Sequence, residues 1–363
     1  MKQFPRLLMI FSLLFLLGCA SQDTSSPETT IPATVATTVA TTQATTVPET
    51  EPPTEAPTEP AQERFLLTFA GDCTLGGAGN KFSDPVSFYS VVGENYSYPF
   101  ENIIEYFEND DFSMVNLEGT LTESQKNVYK KHFFRGPTSY VNILTQNSIE
   151  AVTVANNHTM DYFQVGYDET VETLTQAGVG FVEKDSTSIY TTESGLTIGM
   201  YAVSFDHINK DEILEAISAL EANEAVDLVI FAPHWGTEIT YTPHGMHREL
   251  AHAIIDAGAD IIFGTHPHVL QPMETYNGGL IMYSMGNFVF GGSVYPEDFD
   301  TAIVQQEVIQ EPDGTIRLGE TTAIPCSLTS TPGHNNFQPT PYEEGTYSYN
   351  QVMTKLKFDK LWQ

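Results

Sequence analysis

The chain has 363 residues, 47 Asp and Glu against 15 Lys and Arg, and a formal net charge of −32 at pH 7. A field of that sign repels polyanions, so nucleic acid is excluded as a partner, and an anionic ligand must be held by a metal ion or a few placed basic side chains. Hydrophobic residues make up 41% of the sequence, which excludes a wholly disordered chain.

In chain order, the N-terminus sets the compartment. Lys2 and Arg6 precede an apolar run from Leu7 to Leu17, and Gly18 and Cys19 follow. The run is far shorter than the roughly 20 residues that cross a bilayer, so it reads as a secretory signal. Leu16, Leu17, Gly18 and Cys19 resemble the bacterial lipobox, which predicts cleavage before Cys19 and a lipid on its side chain. From Ala20 to Glu63 the chain is dominated by Thr, Pro, Ala, Val and acidic residues, with no Lys, Arg or aromatic side chain. Such a segment buries too little apolar surface to offset chain entropy and reads as a disordered stalk. The expected organisation is a signal over 1–19, a stalk over 20–63 and one domain over 64–363. The expected location is the outer face of the cytoplasmic membrane of a Gram-positive-type bacterium, with the membrane as a partner through Cys19.

Within the domain, apolar runs of strand length alternate with amphipathic segments of helix length. Phe65–Ala70, Phe112–Asn116, Ala151–Ala155, Thr197–Val203, Leu228–Pro233, Ile261–Gly264 and Leu280–Tyr283 read as strands. Pro99–Glu108, Tyr140–Gln146, Tyr167–Gln176, Lys210–Ala222 and His247–Ala257 read as helices. The alternation predicts an α/β fold with buried sheet strands. Beyond Asp300 the segments Ala302–Ile309 and Thr315–Thr322 read as strands, with a terminal helix over Tyr349–Phe358. The two remaining cysteines, Cys73 and Cys326, carry no pairing signal.

Chemistry concentrates where strands end. Asp72, Glu118, Asn157 with His158, His234, and His266 with His268 each directly follow a strand-like run. Together they put carboxylate, amide and imidazole groups along one sheet edge, where open α/β folds hold their ligands. Taken singly, Asp72, Glu118 and Asn157 read equally as turn or cap residues, and His234 beside Trp235 as a core histidine. His266-Pro267-His268 is the sharpest signal: two imidazoles flank a proline that fixes the turn. Arg135 offers a planar two-pronged contact for an anion, or a surface ion pair. Lys130, Lys131 and His132 form a compact basic cluster just before it.

Six motifs occur in one order: Ala70-Gly71-Asp72, Asn116-Leu117-Glu118, Ala155-Asn156-Asn157-His158 with Asp161, Pro233-His234-Trp235-Gly236, Gly264-Thr265-His266-Pro267-His268, and Tyr283-Ser284-Met285-Gly286-Asn287-Phe288. In that order they resemble the CapA family of capsule and poly-γ-glutamate proteins, a branch of the metallophosphoesterase superfamily, over roughly Phe65 to Phe290. The resemblance implies a four-layer sandwich, two mixed β-sheets flanked by helices, and one or two divalent metal ions held by strand-end loops. Mn, Fe or Zn suit the mixed donor set. Carried over residue by residue, Glu118 bridges, Asn157, His234 and His266 complete one metal site, and Asp72 and His268 serve the other. His158 is then the general acid, and Asp161 orients it. Thr74 stands where the superfamily usually carries a histidine, so the Asp72/His268 site is expected to bind its ion weakly.

The donor set implies a metal-dependent, phosphoesterase-like hydrolase acting on an anionic envelope or capsule substrate, a polymer or a phosphoester. The family implies an alternative, a non-catalytic assembly or export component of capsular poly-γ-glutamate biosynthesis in complex with a capsule synthase. An adhesin or solute-binding lipoprotein would share the signal and stalk but needs none of the histidines.

Overall fold

Two β-sheets stacked face to face carry the fold, and the computed structural model describes residues 62–78 and 84–357 of it. The signal, Cys19 and nearly all of the stalk lie outside the described residues. The first sheet has eight strands, ordered Thr340–Pro341, Ile316–Ser327, Asp300–Gln310, Glu63–Thr74, Phe112–Leu117, Ala151–Thr153 and Gly180–Val182, with Asn287–Phe290 also paired to Glu63–Thr74. The second has six, ordered Met273–Tyr276, Gly279–Met282, Ile261–Phe263, Leu228–His234, Thr197–Ser204 and Ser186–Thr191. Both are mixed. In the first, Glu63–Thr74 through Gly180–Val182 run parallel and Asp300–Gln310 joins antiparallel. In the second, four parallel strands are flanked by antiparallel edges.

Period-two burial explains the layering. In Thr197–Ser204, Ile198, Met200 and Ala202 face the other sheet, while Tyr201 and Val203 face outward into a second apolar cluster. Between the sheets, Phe69 and Met114 meet Ile230, Phe263 and Met282, with the Phe69 and Phe263 rings 5.5 Å apart. Outside the first sheet, Val115 and Val152 pack on Phe88, Ile143 and Leu174 of the helices Phe88–Val92, Val141–Thr145 and Phe163–Ala177. Outside the second, Val229 and Phe231 pack on Ile213, Ile217 and Ile254 of the helices Lys210–Glu221 and Gly245–Asp256. The result is helix, sheet, sheet, helix, the four-layer α/β arrangement expected.

Two readings change. The segment 99–108 is not one helix but two 3-10 turns, Tyr98–Phe100 and Ile104–Tyr106. Phe100 and Ile103 are both fully buried and lie three apart, the spacing at which a 3-10 turn stacks its side chains. Asn287–Phe290, not among the segments read as strands, is a core strand: it pairs parallel with Glu63–Thr74 and sets Asn287 opposite Asp72. Cys73 and Cys326 are both buried and unpaired.

The approach of these two strands depends on Gly71. A Cβ there would lie 1.9 Å from the Gly286 carbonyl oxygen, which accepts the Asp72 N–H at 2.8 Å. Gly71→Ala should therefore destabilise the domain by about 1–3 kcal/mol through overpacking, read as a lower urea midpoint at unchanged slope. A midpoint equal to wild type would show that this contact is not fixed.

Candidate metal centre

The parallel strands of both sheets end on the same side, and the site is built from those ends. Asp72 lies near the end of Glu63–Thr74, Glu118 directly follows Phe112–Leu117, and His234 is the last residue of Leu228–His234. Asn157 and His158 come four and five residues after Ala151–Thr153, and His266 and His268 follow Ile261–Phe263. His266 and His268 sit at φ 99° and 59°, in the left-handed region that non-glycine residues seldom occupy. Backbone held there on either side of Pro267 is a feature that surrounding contacts must enforce.

All seven metal or acid candidates meet in one cluster. The His234 and His266 rings are 4.7 Å apart, although the residues are 32 positions apart. Asn157 Oδ1 lies 2.8 Å and His266 Nδ1 3.1 Å from His234 Nε2, so three donor atoms of the first expected set crowd together. In the second expected set, donor atoms of Asp72, Glu118 and His268 all lie within 4.8 Å of one another. Glu118 stands between the two sets. Its Oε1 is 3.8 Å from His234 Nε2, 3.6 Å from His268 Nε2 and 3.9 Å from His158 Nε2. Thr74, in the place where a histidine was expected, is buried and donates to Glu118 Oε2 at 3.4 Å.

The cluster is an electrostatic problem that its own residues leave unfinished. Asp72 and Glu118 are both wholly buried, and Asp72 Oδ2 and Glu118 Oε1 have no hydrogen-bond donor. Buried carboxylate oxygens without donors are costly unless a cation faces them. Burial, then the Asp72 charge, lifts the Glu118 carboxyl to about 7. Burial opposes charge on His268, but Glu118 and Asp72 prevail and raise its imidazole to about 10. Burial and the neighbouring imidazoles push His234 well below the usual histidine range, and the same causes bring His266 to about 4. His234 and His266 are thus neutral at pH 7 with lone pairs free for ligation, while His268 supplies the positive charge. The residues fit a divalent ion: hard carboxylates, an amide oxygen and neutral imidazoles, with two buried carboxylate oxygens faced by imidazoles alone.

Supporting residues fix the donors. Asn116, unremarked by sequence reading except as part of a motif, donates from Nδ2 to Asp72 Oδ1 at 2.8 Å and accepts from Asn156 Nδ2 at 3.0 Å. Thr265 Oγ1 lies 2.9 Å from His234 Nδ1, and Asn287 Oδ1 lies 3.0 Å from His268 Nδ1. The one signal for Asn116 is an amide side chain near the end of the mostly apolar strand Phe112–Leu117. His158 Nδ1 lies 2.7 Å from Asp161 Oδ2, which places its Nε2 on the Glu118 side.

Arg135 is different. It is buried, its Nη1 donates to the Thr122 and Ser124 carbonyls at 3.1 and 3.0 Å, and its guanidinium lies over the Tyr162 ring. Those contacts tie down a loop, so the expected anion contact gives way to a structural one. Lys130 is likewise engaged, with Asp161 and the Asn157 carbonyl.

A family model described as bacterial capsule synthesis protein PGA_cap matches residues 66–292. The chain is 31% identical to the PGA biosynthesis protein CapA of Bacillus subtilis over 72% of its length and 74% of that protein. It is 30% identical to the capsule biosynthesis protein CapA of Bacillus anthracis, covering 67% of the chain and 64% of that protein. Among solved structures, NAD nucleotidase from Haemophilus influenzae is similar over 83% of this chain and 63% of the other, at 11% identity and a TM-score of 0.42. That likeness is coarse and carries no weight for the site.

Metal uptake should release protons. His268 holds its proton up to about pH 10, so at pH 7 a metal must displace it, and affinity should rise about tenfold per pH unit for each proton released. Titration calorimetry in buffers of different ionisation enthalpy should show at least one proton leaving. Binding heats independent of buffer would remove His268 from the ligand set.

Proposed function

The chain belongs to the bacterial capsule synthesis protein PGA_cap family, and on that premise we propose a metal-dependent hydrolase that acts on an anionic bond of a capsule or envelope substrate. The supporting observation is Glu118 Oε1, buried without a donor and faced by three imidazole nitrogens at 3.6 to 3.9 Å. Asp72, Glu118, Asn157, His234, His266 and His268 would hold the ion or ions. A divalent ion supplies Lewis-acid stabilisation of the negative charge that develops in hydrolysis.

The rest falls to the chain. Asp161, as a carboxylate, accepts from His158 Nδ1, so Nε2 faces the cluster and, when the imidazole carries its second proton, passes that proton to a leaving oxygen. Asn116 and Asn287 hold Asp72 and His268 in place through this cycle. The strongly acidic chain offers little general attraction to a polyanion, so recognition of an anionic substrate rests on the local charge of this site. The lipobox-like Leu16–Cys19 supports attachment to the outer face of the membrane, with the stalk as tether and a capsule synthase complex as partner.

A second reading is a non-catalytic assembly or export component of capsular poly-γ-glutamate biosynthesis, with which the names of the two Bacillus relatives are equally compatible. Metal analysis and an activity screen on phosphodiesters, phosphomonoesters and poly-γ-glutamate, with and without chelator, separate the two. Chelator should abolish turnover. His234→Ala should lose both metal and activity, whereas His158→Ala should keep its metal and slow turnover by roughly 10² to 10⁴. A metal-loaded chain inert on every substrate would leave the assembly reading.

The anchor has its own check. Cys19→Ala should release the protein into the medium or leave it unprocessed, and a lipid-labelled, mature-sized variant in the membrane fraction would refute the attachment.

A further inference from the structure

Lys130 lies on the loop between the short strands Thr120–Leu121 and Phe134–Gly136, which pair with each other beside the site. Its ammonium forms an ion pair with Asp161 and donates to the Asn157 carbonyl at 2.9 Å. We propose that Lys130 is a positioning residue: it neutralises the Asp161 carboxylate, clamps both ends of the 157–161 turn, and so holds the His158 imidazole toward the Glu118 cluster. The inference rests on the reading of His158 as the proton donor.

The case begins with burial. The Asp161 side chain has no exposure, whereas a third of the Lys130 side chain remains exposed. An exposed ion pair contributes little, but a carboxylate removed from water needs a counter-charge as well as hydrogen bonds. Asp161 Oδ2 accepts the Phe134 N–H at 2.6 Å and faces His158 Nδ1 at 2.7 Å. The amide supplies a dipole only, and a proton donor gives up its charge each time it acts. Lys130 supplies the full charge, on Oδ1.

The second step is geometric. Asn157 sits among the metal candidates and Asp161 behind the acid, four residues apart with His158 between them. One ammonium touching both fixes their separation. The same turn is bound to the loop twice more, independently of Lys130: Val128 N–H donates to the Asp161 carbonyl at 2.8 Å, and Phe134 N–H to its carboxylate. The Phe134 ring also lies 4.4 Å from the His158 ring. Removing the ammonium should therefore leave the loop attached and the chain folded, while the acid loses its orientation.

The test compares Lys130→Met with Lys130→Arg in the full chain, each also combined with Asp161→Asn. Lys130→Met should keep its circular dichroism and metal content, lose on the order of 10- to 100-fold in kcat as supporting contacts do, and leave KM unchanged. Lys130→Arg should recover most of that loss, because the charge is retained. In the Asp161→Asn background, Lys130→Met should cost nothing further, since the two residues act as one unit. Additive losses, or a change carried by KM, would overturn the positioning role. If the wild-type chain turns over no substrate, the hydrolase reading fails separately, and the latch is read from amide exchange. The His158 and Asp161 amides, bonded within the turn itself, should then exchange about tenfold faster in Lys130→Met, and wild-type rates there would overturn the latch.

Discussion

Two carboxylates buried a few ångströms apart, Asp72 and Glu118, are the constraint on which the rest of this site depends. Neither can be solvated, and each has one oxygen without a donor. Coulomb repulsion at that separation is unfavourable in any low-dielectric setting, so the surroundings must supply positive charge. The chain answers with His268, whose imidazole takes a proton and lies 3.1 Å from Asp72 Oδ2. A proton on His268 reaches these oxygens from one direction only. A divalent ion placed among the same donors would face both carboxylates at once, which is why the arrangement reads as a metal centre rather than as a buried ion pair.

The fold exists, in effect, to bring such a group together without water. Most of the parallel strands are buried on both faces and admit only a few uncharged polar side chains such as Thr68, Ser113 and Asn116, so the first place for a carboxylate or imidazole is the strand's carboxyl end. Stacking two sheets with those ends on one side joins donors from both: Asp72, Glu118 and Asn157 come from the first, His234, His266 and His268 from the second. Glycine is required where the ends crowd. Gly71 lets the Gly286 carbonyl approach, and Gly264 does the same for Tyr283, whose carbonyl oxygen would lie 2.3 Å from a Cβ at that position.

This logic also explains what could be read from the chain alone. Strands such as Thr197–Ser204 and Leu228–His234 were legible because two-sided burial writes them as continuous apolar runs. The edge strand Ser186–Thr191 was not, since its alternation of half-buried and exposed positions uses Ser and Thr in place of strong apolar markers. The metal candidates were legible because they interrupt apolar runs at their ends. Asn116 was harder, as its role appears only when Asp72, 44 residues away, is brought alongside. Arg135 was misread for the same reason. A guanidinium in a chain poor in basic residues suggests an anion, but its neighbours in space are the Thr122 and Ser124 carbonyls and the Tyr162 ring.

Charge placement joins these observations. The chain is acidic overall, and around the site the ionic contacts are local: Lys130 on Asp161, His268 on Asp72 and Glu118. On the proposed reading, an anionic substrate approaching such a surface would gain nothing at long range and would be stabilised only beside a cation held at the site. Selectivity would then come from the site itself, because ligands that merely carry negative charge are repelled before they reach it. The same arrangement keeps the acid distinct from the metal donors. His158 is held from behind by Asp161 and lies against the Phe134 ring. An imidazole anchored in this way could lose and regain a proton without releasing an ion held by the others, which is the separation of roles that the proposed hydrolysis would require.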